Sequence, residues 1–370
     1  MPQIGQAPLK EMKILDRYII GKFLGTFFFM IALIMSIAVV FDVSERLEKF
    51  IKNEAPIEAI VFDYYLHFIF YYGNLFSSLF IFLSVLLFTS QMAQRTEMVA
   101  ILASGVSFKR ILRPYFIAST ILVGISLYFT HYQLPISNHI RLGFEEQFIR
   151  KQFRIEDRNL HRQINDSTIA YFESFHTANN IGYKFSLENW TPEGQLSYKM
   201  LADRARYDTV SGTWQIDNYF ERRFLDGEEK INHGRRIDTV LTLKPQDLGQ
   251  RLSIASTMGF KELSDFIELE RRKGSDKIVY YQIEKHQRTS YPFAAYILTV
   301  IAVSVASRKS RGGIGVHLAL GVVIAITYIF AMKISTVAAT NADLNPFIAV
   351  WIPNIIFGIV AAYLFTKAQK

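Results

Sequence analysis

The fold is decided by charge-free stretches such as FLGTFFFMIALIMSIAVVF, which runs from Phe23 to Phe41. Similar stretches run from Tyr64 to Gln94 and from Pro114 to Ile140. About 18 consecutive apolar residues already indicate a membrane span, because a helix of that length crosses the hydrocarbon core of a bilayer. Lipid offers the backbone no hydrogen-bond partner, so each span must be helical. The sequence predicts six transmembrane helices, three on either side of a polar block from about Arg141 to Arg288.

The six spans leave enough of the 370 residues for one extramembrane domain of ordinary size. The first span is too long for a signal peptide and lacks a small-residue cleavage site, so we expect it to be retained. We place the spans at about Phe23–Val43, Tyr64–Met92, Pro114–Pro135, Tyr291–Ser307, Ile314–Met332 and Phe347–Phe365.

Basic residues indicate the side of the membrane on which each segment lies. Lys and Arg gather before the first span, around Arg95 and Arg110 between the second and third spans, and around Arg308 between the fourth and fifth. Cytoplasmic segments collect Lys and Arg, so these segments and both termini are predicted to be cytoplasmic. The polar block is then predicted to lie outside. Much of the net charge of +8 is explained by this topology, and we expect no nucleic-acid partner.

The polar block is predicted to be mainly β-structure. Short segments rich in aromatic and β-branched residues alternate with turn signals, which is typical of an all-β sandwich or roll. The predicted strands are Thr168–Phe172, Tyr183–Leu187, Thr213–Ile216 and Thr239–Leu243, and the turn signals are Asn179-Asn180, Pro192-Glu193-Gly194, Ser211-Gly212 and Asp226-Gly227.

Helices are predicted on both flanks of this β-domain. Glu145–Arg158 has the composition of a charged helix that continues from the third span, and Gly259–Lys273 places apolar residues at helical spacing, as in an amphipathic helix. The predicted organisation is therefore residues 1–140 for the first three spans, 141–257 for the outer β-domain, and 258–370 for the amphipathic helix and the last three spans.

Several kinds of chemistry are excluded by the sequence. The absence of cysteine removes disulfides, thiolate metal sites and cysteine nucleophiles. The glycines near Gly312 lack the Lys and Ser/Thr of a phosphate-binding loop, so the chain is not expected to hydrolyse ATP, and they indicate a tight turn instead. The eight histidines show no metal-ligand spacing, and we expect no metal or cofactor.

The segment from Ala93 to Gly105 is the most specific candidate site. It is too polar to cross the membrane and ends in a glycine, which indicates a short interfacial helix at 93–105. One interpretation is a helix that docks onto a partner protein. The other is a stiff connector between two spans.

Charged residues supply candidate lipid contacts. Lys333, near the outer end of the fifth span, either reaches the membrane interface or meets a lipid phosphate. Arg46 and Lys49 follow Asp42 at the outer end of the first span. A basic strip suits anionic head groups, although it is equally explained as a solvated helix face paired with nearby acidic residues. This strip contains Arg150, Lys151, Arg154, Arg158 and Arg162.

Within the β-domain, apolar strand residues either fill a closed core or line a groove for acyl chains. Tyr171 and Phe185 lie on predicted strands and are candidates for such contacts. Alternation of apolar and polar residues does not separate these two arrangements, so both remain open.

Four motifs in their order along the chain resemble one family. They are Ile14-Leu15-Asp16-Arg17-Tyr18-Ile19, the run AQRTEMVAILASG from Ala93 to Gly105, Arg308-Lys309-Ser310-Arg311-Gly312-Gly313, and Trp351-Ile352-Pro353-Asn354. Together they are similar to the LptF/LptG permeases, and the opening is more like the LptG branch. The resemblance implies a six-helix permease of the ABC transporter that extracts lipopolysaccharide from the bacterial inner membrane, with a β-jellyroll in the periplasm.

The resemblance also implies partners and site residues. The expected partners are a paralogous permease in a heterodimer, two copies of a cytoplasmic ATPase, and a single-span LptC-like protein that receives the lipid. The ATPase-coupling pattern maps onto Arg95, Glu97, Ala100, Ile101, Ala103 and Gly105.

Two other classes of function remain open at this point. A membrane-embedded enzyme acting on a lipid would use His67, His131 or His139 as acid–base groups, and it would be active without any ATPase. A non-transporting transmitter of an ABC system would keep the coupling helix but would need no cavity for a lipid.

Overall fold

The computed structural model describes residues 9–150, 159–177, 179–225, 228–248, 251–310 and 312–368. The chain divides into two compact units, one formed by residues 1–149 and 282–370 and the other by Arg150–Tyr281. The first unit contains the membrane helices, and the second contains the β-domain with the helices that follow it.

The first unit is a helical bundle. Its helices are α1 (Leu9–Lys52), α2 (Ile57–Ala59), α3 (Leu66–Leu75), α4 (Ser77–Gln94), α5 (Glu97–Ala103), α6 (Phe108–Tyr128) and α7 (Leu134–Phe144), followed after the β-domain by α10 (Ile278–Ala306), α11 (Gly313–Asn341) and α12 (Pro346–Ala368). Six segments in the described residues are long and apolar enough to cross a membrane, as predicted. They are Ile14–Lys52, Ser77–Gln94, Phe108–Ile149, Ile278–Ala306, Gly313–Asn341 and Pro346–Ala368.

Irregular turns precede the second span and interrupt the third. A π-helix at Ile60–Tyr65 joins α2 to α3, and Phe76 separates α3 from α4 with φ −96° and ψ 7°. In the third span a π-helix at Phe129–Gln133 precedes α7, whose first turn contains Pro135. Proline has no backbone N–H to donate, so the helix widens before it instead of ending.

The third span is longer than the sequence predicted. It continues past Pro135 through α7 and a π-helix at Glu145–Ile149. Residues Glu145 to Ile149 of the predicted charged helix at Glu145–Arg158 therefore continue the helix of the third span. Its remainder from Lys151 to Arg158 lies outside the described residues.

The β-domain is a single antiparallel sheet with strand order β1-β2-β4-β5-β6-β7, and β3 pairs with β4 beside that path. The antiparallel β-insert between the third and fourth spans is thus confirmed. The strands are β1 (Leu160–Gln163), β2 (Thr168–Phe172), β3 (Ser174–His176), β4 (Ile181–Trp190), β5 (Leu196–Asp208), β6 (Thr213–Leu225) and β7 (Glu228–Thr239).

The predicted strand at Thr239–Leu243 is wrong, because β7 ends at Thr239 and the following residues are irregular. Strands β1, β3, β5 and β7 were missed. Most residues of β7 are exposed and polar, so this strand carries no apolar alternation that a sequence could show. The turn signals were more reliable, since Asn179-Asn180, Pro192-Glu193-Gly194 and Ser211-Gly212 each fall between two of the observed strands. The fourth, Asp226-Gly227, lies outside the described residues.

One face of the sheet forms the core of the β-domain. Trp214 is fully buried there, and its ring lies 5.7 Å from that of Phe172. The indole Nε1–H donates a 2.8 Å hydrogen bond to the carbonyl oxygen of Leu243, so the chain after β7 closes over this face. Phe185 is 1% exposed and packs on Phe172 with ring centroids 5.0 Å apart.

Short helices follow the sheet in the same unit. They are α8 (Pro245–Leu248), a 3-10 helix at Leu252–Thr257 and α9 (Phe260–Arg272). The predicted amphipathic helix at Gly259–Lys273 is therefore present as α9, and Leu263 and Ile267 lie on its buried face. The Arg162 guanidinium donates to the carbonyl oxygens of Asp247 and Leu248, at 2.8 and 3.0 Å. Arg162 is thus a buried residue of β1 and not part of an exposed basic helix.

Candidate functional site

The link between the second and third spans contains a short, separate helix. α4 ends at Gln94, and Thr96 adopts a left-handed conformation with φ 61° before α5 begins at Glu97. Gly105, with φ 89°, ends the segment, and the Ser107 hydroxyl caps α6 by accepting from the backbone N–H of Arg110. The helix is shorter than the predicted 93–105, because the left-handed turn at Thr96 separates it from α4 and places Arg95 outside it.

Helix α5 has one buried side and a larger exposed one. Met98 is fully buried in the apolar core of the helical unit, while Val99 is 53% exposed and Leu102 is also exposed. Ala100, Ala103 and Gly105 are exposed as well. Small exposed residues between two exposed apolar side chains allow another protein surface to approach closely.

The first helix contacts both ends of this link. The Tyr18 hydroxyl of α1 donates a 2.9 Å hydrogen bond to Oε2 of Glu97. The Arg110 guanidinium of α6 donates to both carboxylate oxygens of Asp16, at 2.8 and 2.7 Å. Glu97 and Ile101 are half-buried, so these two predicted residues contact their own subunit as well as the surface.

The turn between α10 and α11 adjoins the end of α4. The Gln94 side-chain amide donates to the carbonyl oxygen of Ser310 at 3.1 Å, and the backbone N–H of Gly313 donates to the same carbonyl. Gly313 has φ 72°, a conformation that glycine adopts without strain. This basic segment is therefore a tight turn, and it lies at the same end of the bundle as α5.

A polar cluster at the other end of α1 involves one of the predicted lipid-binding residues. Asp42 accepts hydrogen bonds from Nε of Arg46 at 2.8 Å and from the hydroxyls of Tyr64 and Tyr65 at 3.0 and 3.2 Å. Arg46 also lies over the Tyr64 ring, 5.4 Å from its centroid. Its charge is therefore engaged within the subunit, whereas the neighbouring Lys49 is exposed.

A second polar cluster, buried in the third span, was not predicted. Arg141 and Glu145 form an ion pair and are only 6% and 3% exposed. The guanidinium also donates to Asn138 at 3.3 Å and lies 4.5 Å from the centre of the Tyr71 ring. Arg141 and Glu145 are four residues apart on one helix, and this spacing, which favours an ion pair, was visible in the sequence.

Other polar residues inside the spans join neighbouring helices, as such residues generally do. The Asn74 amide donates to Thr130 at 2.8 Å, and its oxygen accepts from Ser126 at 2.9 Å. The Tyr328 hydroxyl donates to Asn354 at 2.9 Å, and the Asn354 amide donates to the Ser290 carbonyl oxygen at 3.0 Å. These contacts fix the packing of the bundle.

The predicted lipid-contact residues lie in different surroundings. Lys333 is exposed on α11 beside Phe330 and Ile334, which are 63% and 67% exposed. Arg150 is half-buried in the unit that contains the β-domain, and Arg154 lies outside the described residues.

The β-domain has an open concavity of about 600 Å³, and both predicted residues, Tyr171 and Phe185, line it. Leu201 and Phe220 also line it, and the Tyr171 hydroxyl donates to Asn159 at 2.7 Å. On neighbouring strands of the same sheet, Arg204 and Arg236 donate hydrogen bonds to Asp217 and hold the pKa of its carboxyl below the usual range.

The histidines considered for acid–base chemistry are dispersed. His67 Nδ1 lies 3.0 Å from the Ser137 hydroxyl, His131 Nδ1 lies 3.0 Å from the Leu127 carbonyl oxygen, and His139 is exposed. Throughout the described ranges, no three His, Cys, Asp or Glu side chains are grouped so as to hold a metal ion.

Six candidate spans, an inserted β-sheet and a short exposed helix between the second and third spans define a polytopic membrane permease. Residues 17–367 match the family described as lipopolysaccharide export system permease LptF/LptG. The chain belongs to this family, which confirms the prediction from the four motifs. It is therefore a permease of the ABC transporter that extracts lipopolysaccharide, and a separate subunit hydrolyses ATP. A search of curated proteins found no match.

Proposed function

We propose that the chain is the LptG-like subunit of this transporter and pairs with the paralogous permease. The assignment is supported by the opening from Ile14 to Ile19, which resembles the LptG branch. Pairing is supported by the spans that contain α1 and α11, whose most apolar stretches are only 17% and 22% buried within the subunit. Two copies of a cytoplasmic ATPase and a single-span LptC-like protein complete the proposed assembly.

The coupling site for the ATPase is helix α5 with its flanking residues Arg95 and Gly105. The observation that carries this proposal is that α5 presents exposed apolar and small residues while Met98 anchors it in the core. An isolated connector would gain nothing from exposed Val99 and Leu102, whereas a partner groove would cover both. Glu97, Ala100, Ile101 and Ala103 lie on or beside this surface.

The proposed topology places both termini and α5 in the cytoplasm and the β-domain in the periplasm. It is supported by the basic residues at Arg95, Lys109, Arg110 and Arg308, since cytoplasmic segments are enriched in Lys and Arg. The domain predicted at residues 141–257 would then be the periplasmic lipid-handling domain from Arg150 onward, as a jellyroll is in the family resemblance, since residues 141–149 belong to the helical unit.

The proposed lipid contacts begin at Lys333 and Lys49, which are exposed cations. Arg46 would join them only by leaving Asp42. Arg150 and Arg154 remain proposed contacts, and Arg154 lies outside the described residues. Tyr171 would contact lipid in the open concavity of the sheet. Phe185 lines the same concavity, but its side chain is 1% exposed, so it would contact lipid only after its side chain moved.

Single cysteines test this proposal cleanly, because the chain has none of its own. We expect Ala103→Cys to react with maleimide only from the cytoplasmic side and to cross-link to the ATPase through a short bifunctional reagent. Glu193→Cys, in the turn between β4 and β5, should react from the periplasmic side. Met98→Cys is the matched control, because a buried side chain on the same helix should not cross-link.

Two results would contradict the proposal. Labelling of Ala103→Cys from the periplasmic side would reverse the topology. Cross-linking that is no stronger at Ala103→Cys than at Met98→Cys would show that α5 is a connector.

A further inference from the structure

Helix α1 holds the proposed coupling segment at two points. Tyr18 bonds to Glu97, the first residue of α5, across a sequence separation of 79 residues. Asp16 bonds to Arg110, in the first turn of α6, across 94 residues. The short link that contains α5 is thus fixed to α1 at its start and just after its end.

The two contacts leave α1 in different directions. Residues two apart on a helix do not share a face, so Asp16 and Tyr18 reach to different neighbours. Ile19 is fully buried and belongs to the same apolar cluster as Met98 of α5. The beginning of α1 is therefore held by α5, by α6 and by the core, and these elements can move as one body.

The chemistry of the contacts favours a fixed geometry more than added stability. Two parallel N–H···O bonds between a guanidinium and a carboxylate define both distance and orientation. Both side chains of the Asp16–Arg110 pair are about one-fifth exposed, at 20% and 19%. Restoring the pair with exchanged charges therefore separates its geometric role from its contribution to stability.

Helix α1 is the element that such a link would reach first. Its most apolar stretch is 17% buried, the lowest value among the six candidate spans in the described residues. The same helix packs on α4 and α6 and contributes Ile19 to the core. A movement of α5 would therefore pass to α1 through the Tyr18 hydrogen bond and through this packing.

We propose that Tyr18 and Asp16 are positioning residues that transmit the movement of α5 to α1 when the ATPase works. The proposal rests on the proposed role of α5 as the ATPase docking site. It assigns a function in transport to two side chains of α1, outside the proposed docking helix.

Tyr18→Phe tests the first contact because it removes only the hydroxyl. In proteoliposomes that contain the whole transporter, we expect bound ATPase per permease to stay within about twofold of wild type. Lipopolysaccharide released per ATP hydrolysed should fall at least threefold. The double variant of Tyr18→Phe with Glu97→Ala should release as much lipopolysaccharide per ATP hydrolysed as Glu97→Ala alone, because both substitutions remove the same bond.

The control is Tyr363→Phe on α12, which should leave the ratio unchanged. Tyr363 is 60% exposed, and its hydroxyl has no hydrogen-bond partner among the residues that the structure describes.

Charge exchange tests the second contact. Asp16→Arg and Arg110→Asp should each lower the lipid released per ATP, and the double variant should restore at least half of the wild-type ratio. A wild-type ratio in Tyr18→Phe and in both single charge variants would overturn the proposal. The proposal would also be overturned if less bound ATPase explained all of the lost lipid release. The contacts would then act on docking alone. Failure of the docking proposal itself is separate, since it would appear as absent cross-linking at Ala103→Cys.

Discussion

Replacing Arg141 by alanine is expected to lower the free energy of unfolding of the helical unit by about 3–5 kcal/mol. Arg141 and Glu145 are almost completely buried and form an ion pair. Removing the guanidinium takes away the cation that pairs with the buried carboxylate, so less of the desolvation cost of that carboxylate is offset. The contact of the guanidinium with the Tyr71 ring is lost as well.

The double variant Arg141→Leu with Glu145→Leu separates this effect from the loss of packing. It removes both charges and keeps apolar volume, so we expect it to be close to wild type, because buried ion pairs are often replaced at no net cost. The exposed pair of Arg271 and Glu268, at 3.3 Å, provides the comparison, and Arg271→Ala should cause no measurable change. Denaturant titration of the purified protein in detergent measures all three. A loss below about 1 kcal/mol for Arg141→Ala would show that Glu145 is not left as an uncompensated buried charge.

Replacing Glu97 by lysine is expected to weaken ATPase recruitment or stimulation tenfold or more. In the proposed docking the Glu97 carboxylate makes a charged contact with the ATPase, and a lysine there would turn that attraction into repulsion beside a basic neighbour, Arg95. Charge-assisted contacts are worth about 1.5–3 kcal/mol, and about 1.4 kcal/mol is a factor of ten in affinity. The fold should survive, since substitutions at partly exposed helical sites usually change stability by no more than about 0.5 kcal/mol.

The measurement is the amount of ATPase bound per permease together with the rate of ATP hydrolysis. Glu58→Lys, an exposed substitution on α2 at the other end of α1, should behave like wild type. If Glu97→Lys also binds and stimulates the ATPase normally, the segment is a connector and the proposed docking surface is wrong.

The membrane architecture could be predicted from the sequence because lipid imposes a single requirement on every span. That requirement is a helix of about 18 or more apolar residues, which a long charge-free run of sequence shows directly. The bounds were less certain, since α1 and the third span continue well beyond their apolar stretches into segments with charged residues. Pro135 was taken as the end of a helix but lies inside one, where the π-helix at Phe129–Gln133 accommodates it.

The β-domain was predicted by its turns more than by its strands. Turn residues act locally, whereas β5 and β7 are held by their neighbours in the sheet and carry many charged side chains. Tertiary pairing therefore determined these strands, and local composition did not show it.

The contacts at the candidate site could not be predicted, because they join residues far apart in sequence. Nothing in the order of residues shows that Tyr18 reaches Glu97 or that Asp16 reaches Arg110. The pair Asp42–Arg46 is different, since its i, i+4 spacing was visible in the sequence.

The most direct test of the central claim is lipopolysaccharide release from proteoliposomes that contain the chain, its partner permease and the ATPase. We predict that release requires all three components and ATP that can be hydrolysed, and that the chain alone leaves the lipid chemically unchanged. Modification of the lipid by the chain without ATPase would instead identify a membrane enzyme. ATP hydrolysis without any release from the complete assembly would identify a transmitter subunit, and either result would contradict a lipopolysaccharide permease.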